Sequence, residues 1–251
     1  MCEFNTNATC GTVAEVCKRL PEFFTISVAS RRNSGKTVIV TQIIKELLKT
    51  KRVDKAFVIS GSAGLNDDYT DVLPKSLIRE YDNATLPAIW AMNKKKDPKE
   101  RKHILVIMDD CLSNPECYGN TDIIEVYVKG RHNHISIIML SQHTAHLLNP
   151  TIRANSDLIL YSKLNLQQLK GLYGSITNLE FNDFKAYSEA NAGHDYQFIY
   201  LDTYKQTNKA DEFLGVVKAD PPSTKKKKKD KSEHEHEPEP EPEKNTKAIR
   251  S

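Results

Sequence analysis

The stretch Phe24-Thr25-Ile26-Ser27-Val28-Ala29-Ser30-Arg31-Arg32-Asn33-Ser34-Gly35-Lys36-Thr37 reads in three parts. Residues 24–29 make an apolar run of the length of a short buried strand, and residues 30–36 make a polar turn that closes on Gly35 and Lys36. Over residues 37–49, apolar side chains recur at Val38, Ile39, Ile43, Ile44, Leu47 and Leu48, the spacing of one helical face. A strand, a Gly-Lys-Thr turn and a helix are the parts of a phosphate-binding loop. In such a loop the backbone N–H groups, here those of Asn33, Ser34 and Gly35, join the positive end of the helix dipole around the β- and γ-phosphates of a nucleotide. Lys36 is then expected to reach those phosphates, and the Thr37 hydroxyl to ligate Mg²⁺. One position departs from the G-x-x-x-x-G-K-[ST] pattern, because Ser30 stands where the first Gly belongs.

The rest of the composition sets limits. A chain of 251 residues, 39% hydrophobic and 27% charged, suits one α/β domain of ordinary size plus a tail. No apolar run approaches the roughly 20 residues that span a bilayer, and Met1-Cys2-Glu3-Phe4-Asn5 lacks the basic and apolar regions of a signal peptide. An intracellular protein with no membrane span is expected. The cysteines Cys2, Cys10, Cys17, Cys111 and Cys117 are odd in number and widely spaced, which fits reduced thiols rather than a disulfide framework or a zinc ribbon. The formal charge of +3 is modest, and the last 28 residues, with nine Lys/Arg against seven Asp/Glu, hold most of it. Overall charge alone therefore makes no case for nucleic acid.

Taken in order, residues 1–22 read as an N-terminal extension with a short helix over 12–20 ahead of Pro21. A P-loop domain of ordinary size follows over 23–218. Its expected strands lie at 24–29, 54–60, 103–110, 135–142, 157–162 and, last, 197–202; helices are expected at 37–49, 75–81, 122–129 and 165–190, the last broken at Gly174. Continuous apolar runs such as His103-Ile104-Leu105-Val106-Ile107-Met108 suit central parallel strands buried on both faces. Strands alternating with helices imply right-handed crossovers and an α/β fold: a mainly parallel central sheet flanked by helices. Trp90, near a basic patch at Lys94-Lys95-Lys96 and Lys99, reads either as a core residue or as a platform for a base. From about residue 219 the composition changes, and between Asp220 and Ala248 no apolar residue is available to bury; Lys225–Lys229 and then Glu233–Glu243 make a disordered tail, basic and then acidic.

Chemistry gathers at strand ends. Asp109 closes an apolar strand about seventy residues after Lys36, the place of an acid that holds Mg²⁺ directly or through water. Asp110, next in line and expected on the other side of the strand, could orient or deprotonate an attacking water. Gln142 closes the following apolar strand, where an amide can sense the γ-phosphate. Two other patterns read as decoys. Asn208-Lys209-Ala210-Asp211 has the letters of a guanine signature but does not close an apolar strand. His132, His134, His143 and His146 flank one strand and so fall at opposite ends of it.

Gly130-Arg131-His132-Asn133-His134-Ile135-Ser136-Ile137-Ile138-Met139-Leu140-Ser141-Gln142 resembles the G-R-x-x-x-I-x-hhh-x-x-Q segment of the FtsK/HerA superfamily of DNA-pumping ATPases. Asn149-Pro150-Thr151-Ile152-Arg153-Ala154-Asn155-Ser156-Asp157 is similar to the linker that leads there into the fifth strand. The short length, Arg-rich loop and Asp-Asp ending look most like the viral branch, the genome-packaging ATPases of poxviruses, giant viruses and virophages. This resemblance covers residues 23–202 in motif order and excludes both tails. It implies a P-loop NTPase of the RecA-like, ASCE type that hydrolyses ATP with Mg²⁺. It also implies a ring of identical subunits around double-stranded DNA, a capsid or portal protein as partner, and a place in the host cytoplasm or the virion. By the same resemblance Lys36 and Thr37 match the phosphate and Mg²⁺ positions, Asp109 the Mg²⁺ acid, Asp110 the catalytic acid and Gln142 the polar sensor. Arg131 matches an Arg that reaches a neighbour's nucleotide, and Arg153 is a second candidate for that finger. Ser30 for Gly and Asp110 for Glu depart from the pattern and bear on rate more than on binding. The other class compatible with these residues is a non-motor ATP-binding scaffold that docks partners through its charged tail.

Overall fold

The computed structural model describes residues 6, 8–61, 68–111, 121–142, 150–174, 179–205, 207 and 209–222. The fold lies within the unit Met1–Pro221; Pro222–Ser251 forms a separate unit, and the charged tail, Asn208, His143, His146 and Asn149 fall outside the described residues.

Nine strands make one sheet: β1 (Cys10–Thr12), β2 (Thr25–Ala29), β3 (Lys55–Ser60), β4 (Ile78–Glu80), β5 (Ile104–Asp109), β6 (Ile135–Ser141), β7 (Leu158–Tyr161), β8 (Gln197–Asp202) and β9 (Leu214–Lys218). Their spatial order is β1-β9-β8-β7-β2-β6-β5-β3-β4. Every pairing is parallel except those of β8, which runs antiparallel to both β7 and β9. The expected mainly parallel sheet is therefore present, and its central strands β2, β5 and β6 are buried along their whole length, as strands covered on both faces must be.

Helices α1 (Val13–Arg19) and α2 (Lys36–Lys49) cover one face. Their side chains Val16, Cys17, Ile39, Ile43 and Leu47 pack with Ile26, Val28, Leu105 and Ile107 of the sheet. The other face carries α3 (Thr85–Lys94), α4 (Thr121–Lys129), α5 (Pro150–Ala154), α6 (Leu166–Tyr173), α7 (Phe181–Asn191) and α8 (Ala210–Phe213). There Ile89, Val126, Ile152, Leu172 and Phe184 meet Val106, Met108, Ile137, Met139 and Tyr161. Period-2 alternation along β5 and β6 thus divides two apolar layers between two sets of helices. Trp90 is half-buried on α3 and packs against this second layer, the core reading of that residue.

Three expectations are corrected. Residues 75–81 are not a helix: a single 3₁₀ turn, Lys75–Leu77, runs straight into edge strand β4. Residues 197–202 are not the last strand, because β9 follows, and β1 from the N-terminal segment pairs with β9. Nor does β8 run with the rest of the sheet. Two helices, α6 and α7, separate it from β7, so the chain comes back to the edge of the sheet that it left. A short return from that edge can only pair antiparallel.

Arg52 ties the α1 end of the chain to the turn after α2. Its guanidinium donates to the carbonyls of Cys17, Leu20 (2.9 Å) and Pro21 (2.6 Å); Cys17 O also accepts from Leu20 N–H at 3.3 Å, while Leu20 and Pro21 lie past the helix end. Arg52→Met keeps much of the aliphatic stem and removes the donor from the Leu20 and Pro21 carbonyls. We expect it to lower stability by about 2–3 kcal/mol in urea denaturation; a loss under about 0.5 kcal/mol would show the clamp to be idle.

At the opposite edge from the strand ends that carry the acids, His103 is bonded through Nε2 to Ser136 Oγ (2.7 Å) and lies edge-on to Phe23 at 4.8 Å between ring centroids. Burial pushes its pKa down to about 4, so the imidazole is neutral in the folded chain near neutral pH.

Candidate functional site

Register brings one row of residues to a common rim. Ala29 pairs with Ser141 and with Tyr161, Ser60 with Asp109, and Asp109 with Leu140. The next residue on each strand, namely Ser30, Gly61, Asp110, Gln142 and Ser162, therefore stands on the C-terminal rim of the sheet. Four of these continue the ladder: Ser30 N–H donates to Ser141 O, Ser162 N–H to Ala29 O, Asp110 N–H to Leu140 O and Gly61 N–H to Asp109 O, at 3.1–3.3 Å. Since β6 lies between β2 and β5, Gln142 sits between the phosphate-binding loop and the acids.

The loop folds on itself. Asn33 (φ 58°) and Gly35 (φ 89°) are left-handed. A Cβ at Gly35 would also lie 2.9 Å from Cδ1 of Tyr196, so both conformation and contact demand glycine there. Ser30, where the pattern has Gly, is 1% exposed, and its hydroxyl meets those of Ser34 and Ser162. Ser34 Oγ in turn donates to Arg31 O at 2.7 Å. The departure from consensus is thus absorbed by a hydroxyl network that links the loop to β7. Helix α2 starts with no side-chain cap, which leaves its first N–H groups to an anion.

Lys36 is 7% exposed. Its Nζ donates back to Ser30 O (3.1 Å) and Arg31 O (2.8 Å). Burial lowers its pKa, while the carboxylates of Asp110 and Asp109 favour the charged form. Asp109 is 9% exposed and accepts a 2.8 Å bond on Oδ2 from the hydroxyl of Tyr69. Burial raises its pKa to about 6, against the lowering effects of Tyr69 and Lys36. Asp110 has left the strand: its backbone is left-handed (φ 52°), a conformation Asp tolerates better than most residues. Strand alternation consequently does not set its direction. Gln142 Nε2 donates to its Oδ2 at 2.6 Å, making the expected catalytic acid and sensor one hydrogen-bonded pair.

Thr37 lies in the first turn of α2 beside Lys36, half-buried. The Thr37 hydroxyl and the second oxygen of Asp109 are hard oxygen donors of the kind Mg²⁺ takes in small number, with phosphate and water completing its shell. The residues present fit that ion and a nucleotide phosphate.

The two candidate fingers are not at this rim. Arg131 lies exposed in the 3₁₀ turn Gly130–Asn133 that precedes β6, the far end of the seven-residue strand from Gln142 and so roughly 20 Å away; there its charge acts on Asp157. Arg153, half-buried on α5, donates to the carbonyl of Gly171 in α6 and is occupied within its own chain. Tyr69, Ser162 and Tyr196 were not singled out in the sequence. Only the Ser30 anomaly pointed to the hydroxyl network; nothing in the motifs pointed to either tyrosine.

No family model matches the chain. An uncharacterized protein of Frog virus 3 (isolate Goorha) is 23% identical over 188 residues, 72% of this chain and 57% of its own length; the chain thus spans little more than half of that relative. Another from Acanthamoeba polyphaga mimivirus is 25% identical over 210 residues, 77% of this chain and 72% of its own length. Among solved structures, the genome packaging NTPase B204 of Sulfolobus turreted icosahedral virus 2, in complex with AMPPCP, superposes with a TM-score of 0.55 at 17% identity, covering 80% of this chain and 100% of B204. This chain has the P-loop NTPase fold. Its structural neighbours include viral genome-packaging NTPases, the kind the sequence resemblance names. Among the described residues, no helix is long and apolar enough to cross a membrane.

Asp109 and His103 bias stability in opposite directions with pH. The folded chain holds a proton on Asp109 up to about pH 6, whereas the unfolded chain releases it near 4, so that contribution is lost as pH rises through 6. The folded chain keeps His103 neutral down to about pH 4, whereas the unfolded chain protonates it near 6.5, so that contribution is lost as pH falls. In the wild type the two slopes largely offset between pH 4 and 6. Asp109→Asn removes one of them. Its stability in urea is expected to rise with pH over this window more steeply than that of wild type, and parallel curves would contradict the assignment.

Proposed function

We propose that the chain is an Mg²⁺-dependent ATPase motor that translocates double-stranded DNA and packages a viral genome. The observation that carries this reading is the convergence of Lys36, Thr37, Asp109 and the Asp110–Gln142 pair on one rim around an open helix N-terminus. In the proposed reaction Lys36 exchanges its bonds to the loop carbonyls for the β- and γ-phosphates of ATP. Thr37 and Asp109 would hold Mg²⁺, which when bound would neutralise charge on those phosphates. Gln142 orients Asp110 and the water beside it. That water forms a new O–P bond as the bond to the β–γ bridging oxygen breaks; Asp110 takes its proton, and the departing ADP carries charge that Lys36 and the loop N–H groups stabilise. The nucleotide analogues bound in structures of B204, AMPPCP among them, support a nucleotide as substrate. The resemblance supports a ring of identical subunits, a capsid or portal partner, and a place in the host cytoplasm or virion. The ATPase domain is taken to cover residues 23–218 and to be completed by β1 and α1, which pair with β9 and pack on the sheet; the charged tail lies outside the described residues.

Lys36→Ala is expected to abolish hydrolysis. Asp110→Asn should still bind ATP yet turn over 10²- to 10⁴-fold more slowly, and double-stranded DNA should stimulate the wild type. Wild-type turnover in Lys36→Ala would end the ATPase reading, while hydrolysis indifferent to DNA would favour the scaffold over the motor.

Arg131, far from its own chain's rim, is proposed to act on a neighbour's nucleotide, and Arg153 is the weaker candidate because its guanidinium is engaged by Gly171. An arginine finger is worth roughly 10³–10⁵ in rate. Mixed rings of Arg131→Ala and Lys36→Ala subunits should therefore recover part of the activity that each lacks alone. Continued inactivity in rings shown to be mixed would count against a role in trans.

A further inference from the structure

The crossover from β3 to β4 brings a buried aromatic residue onto the acid at the end of β5. Tyr69 is 4% exposed and belongs to the α2-side core layer, together with Leu73, Leu105 and Ile107. Asp109 has the parity of Leu105 and Ile107 along β5, so it leans into the same layer. The backbone of the crossover is pinned beside the ring: the Tyr69 carbonyl accepts from Val72 N–H (3.1 Å) and Leu73 N–H (2.9 Å), and Leu73 is itself buried. Position and direction of the phenol are thereby set by packing, and its hydroxyl ends 2.8 Å from Asp109 Oδ2.

We propose that Tyr69 is a positioning residue for the cation-binding carboxylate, bonding Oδ2 of Asp109 so that the side chain is fixed with Oδ1 left for Mg²⁺. The inference rests on the reading of Asp109 as the Mg²⁺ acid. A carboxylate buried next to Asp110, with the charge of Asp68 also acting on it, is repelled by its neighbours and has lost its water. A donor held in place by the core restores one hydrogen bond to it and removes its freedom to turn away. Partners of this kind behind a metal ligand typically govern affinity by 10- to 100-fold. The role differs from that of Gln142, which bonds Asp110, and it assigns work to a crossover that the nucleotide motifs do not reach.

Tyr69→Phe keeps the buried ring and deletes the hydroxyl. Binding of the non-hydrolysable analogue AMPPNP to full-length protein would be measured by calorimetry, in EDTA and across a Mg²⁺ titration. The wild type should bind more tightly with Mg²⁺. In Tyr69→Phe the EDTA affinity should stay the same, while the Mg²⁺ concentration for half-maximal tightening should rise by about 10-fold or more. Adding Tyr69→Phe to Asp109→Asn should change nothing further, because the carboxylate it positions is gone. A wild-type Mg²⁺ response in Tyr69→Phe, or a stronger one, would overturn the proposal; so would a full effect of the substitution in the Asp109→Asn background. A wild type whose AMPPNP binding ignores Mg²⁺ would instead bring down the underlying reading of Asp109.

Discussion

The pairing of β2 on both sides is the constraint on which the site depends. This five-residue strand is buried throughout and is hydrogen-bonded in parallel to β6 and β7. A slip by one residue would turn Ile26 and Val28 away from α2 and exchange the two apolar layers. Its polar position is satisfied inside: Ser27 Oγ meets Ser156 Oγ at 2.8 Å and the hydroxyl of Tyr127 at 3.2 Å. That internal polar bond is compatible with only one register. With the register fixed, Ala29 ends level with Ser141 and Tyr161, and the loop must rise from Ser30 between Gln142 and Ser162.

On this frame rests an electrostatic arrangement that is expensive to bury. A lysine and two carboxylates lie together near the rim, two of the three largely out of water. Each is compensated within the chain: the ammonium by two loop carbonyls, Asp109 by Tyr69 and Asp110 by Gln142. Isolated buried charges would shift their pKa values until they neutralised, and the raised Asp109 and lowered Lys36 show part of that tendency. A phosphate with its cation offers both partners better ones, a dianionic group for the ammonium and a divalent ion for the carboxylate. Of the two loop carbonyls then released, that of Arg31 belongs to an exposed residue and can turn to water, whereas that of Ser30 lies in a buried one.

What the sequence made legible follows the same physics. Long apolar runs with fixed periodicity announced β2, β5, β6 and α2, and strand ends announced Lys36, Asp109, Asp110 and Gln142, because local pattern determines those features. Direction and contact at a distance were not legible. The orientation of β8 depends on how many helices precede it, and its own residues, Gln197 to Asp202, read the same in either direction. β4 is three residues long with one half-buried side chain, too short to carry a period. Asp110 was placed by alternation, which stops applying once the backbone turns left-handed. Tyr69 and Tyr196 come from a crossover and a turn, where composition is polar and mixed. Each matters through one atom or ring that touches Asp109 or Gly35, and such a contact leaves no trace in periodicity.

The separation of the two arginines has a consequence for assembly. Among the described residues, the loop itself carries the cations Lys36, buried, and Arg31 and Arg32, exposed. Arg131 stands at the N-terminal ends of the parallel strands, while the phosphate loop stands at their C-terminal ends. For Arg131 to serve a nucleotide, the N-terminal edge of one sheet must face the C-terminal rim of another. A two-fold contact does this only where a single patch spans both ends of the strands, so that Arg131 of each chain meets the loop of the other. Where the two ends lie in separate patches the contact is heterologous, and heterologous contacts repeat until they close into a ring or run on as a filament. The strand polarity that separates Arg131 from Gln142 by roughly 20 Å thus makes a trans role for Arg131 a condition on how subunits are arranged.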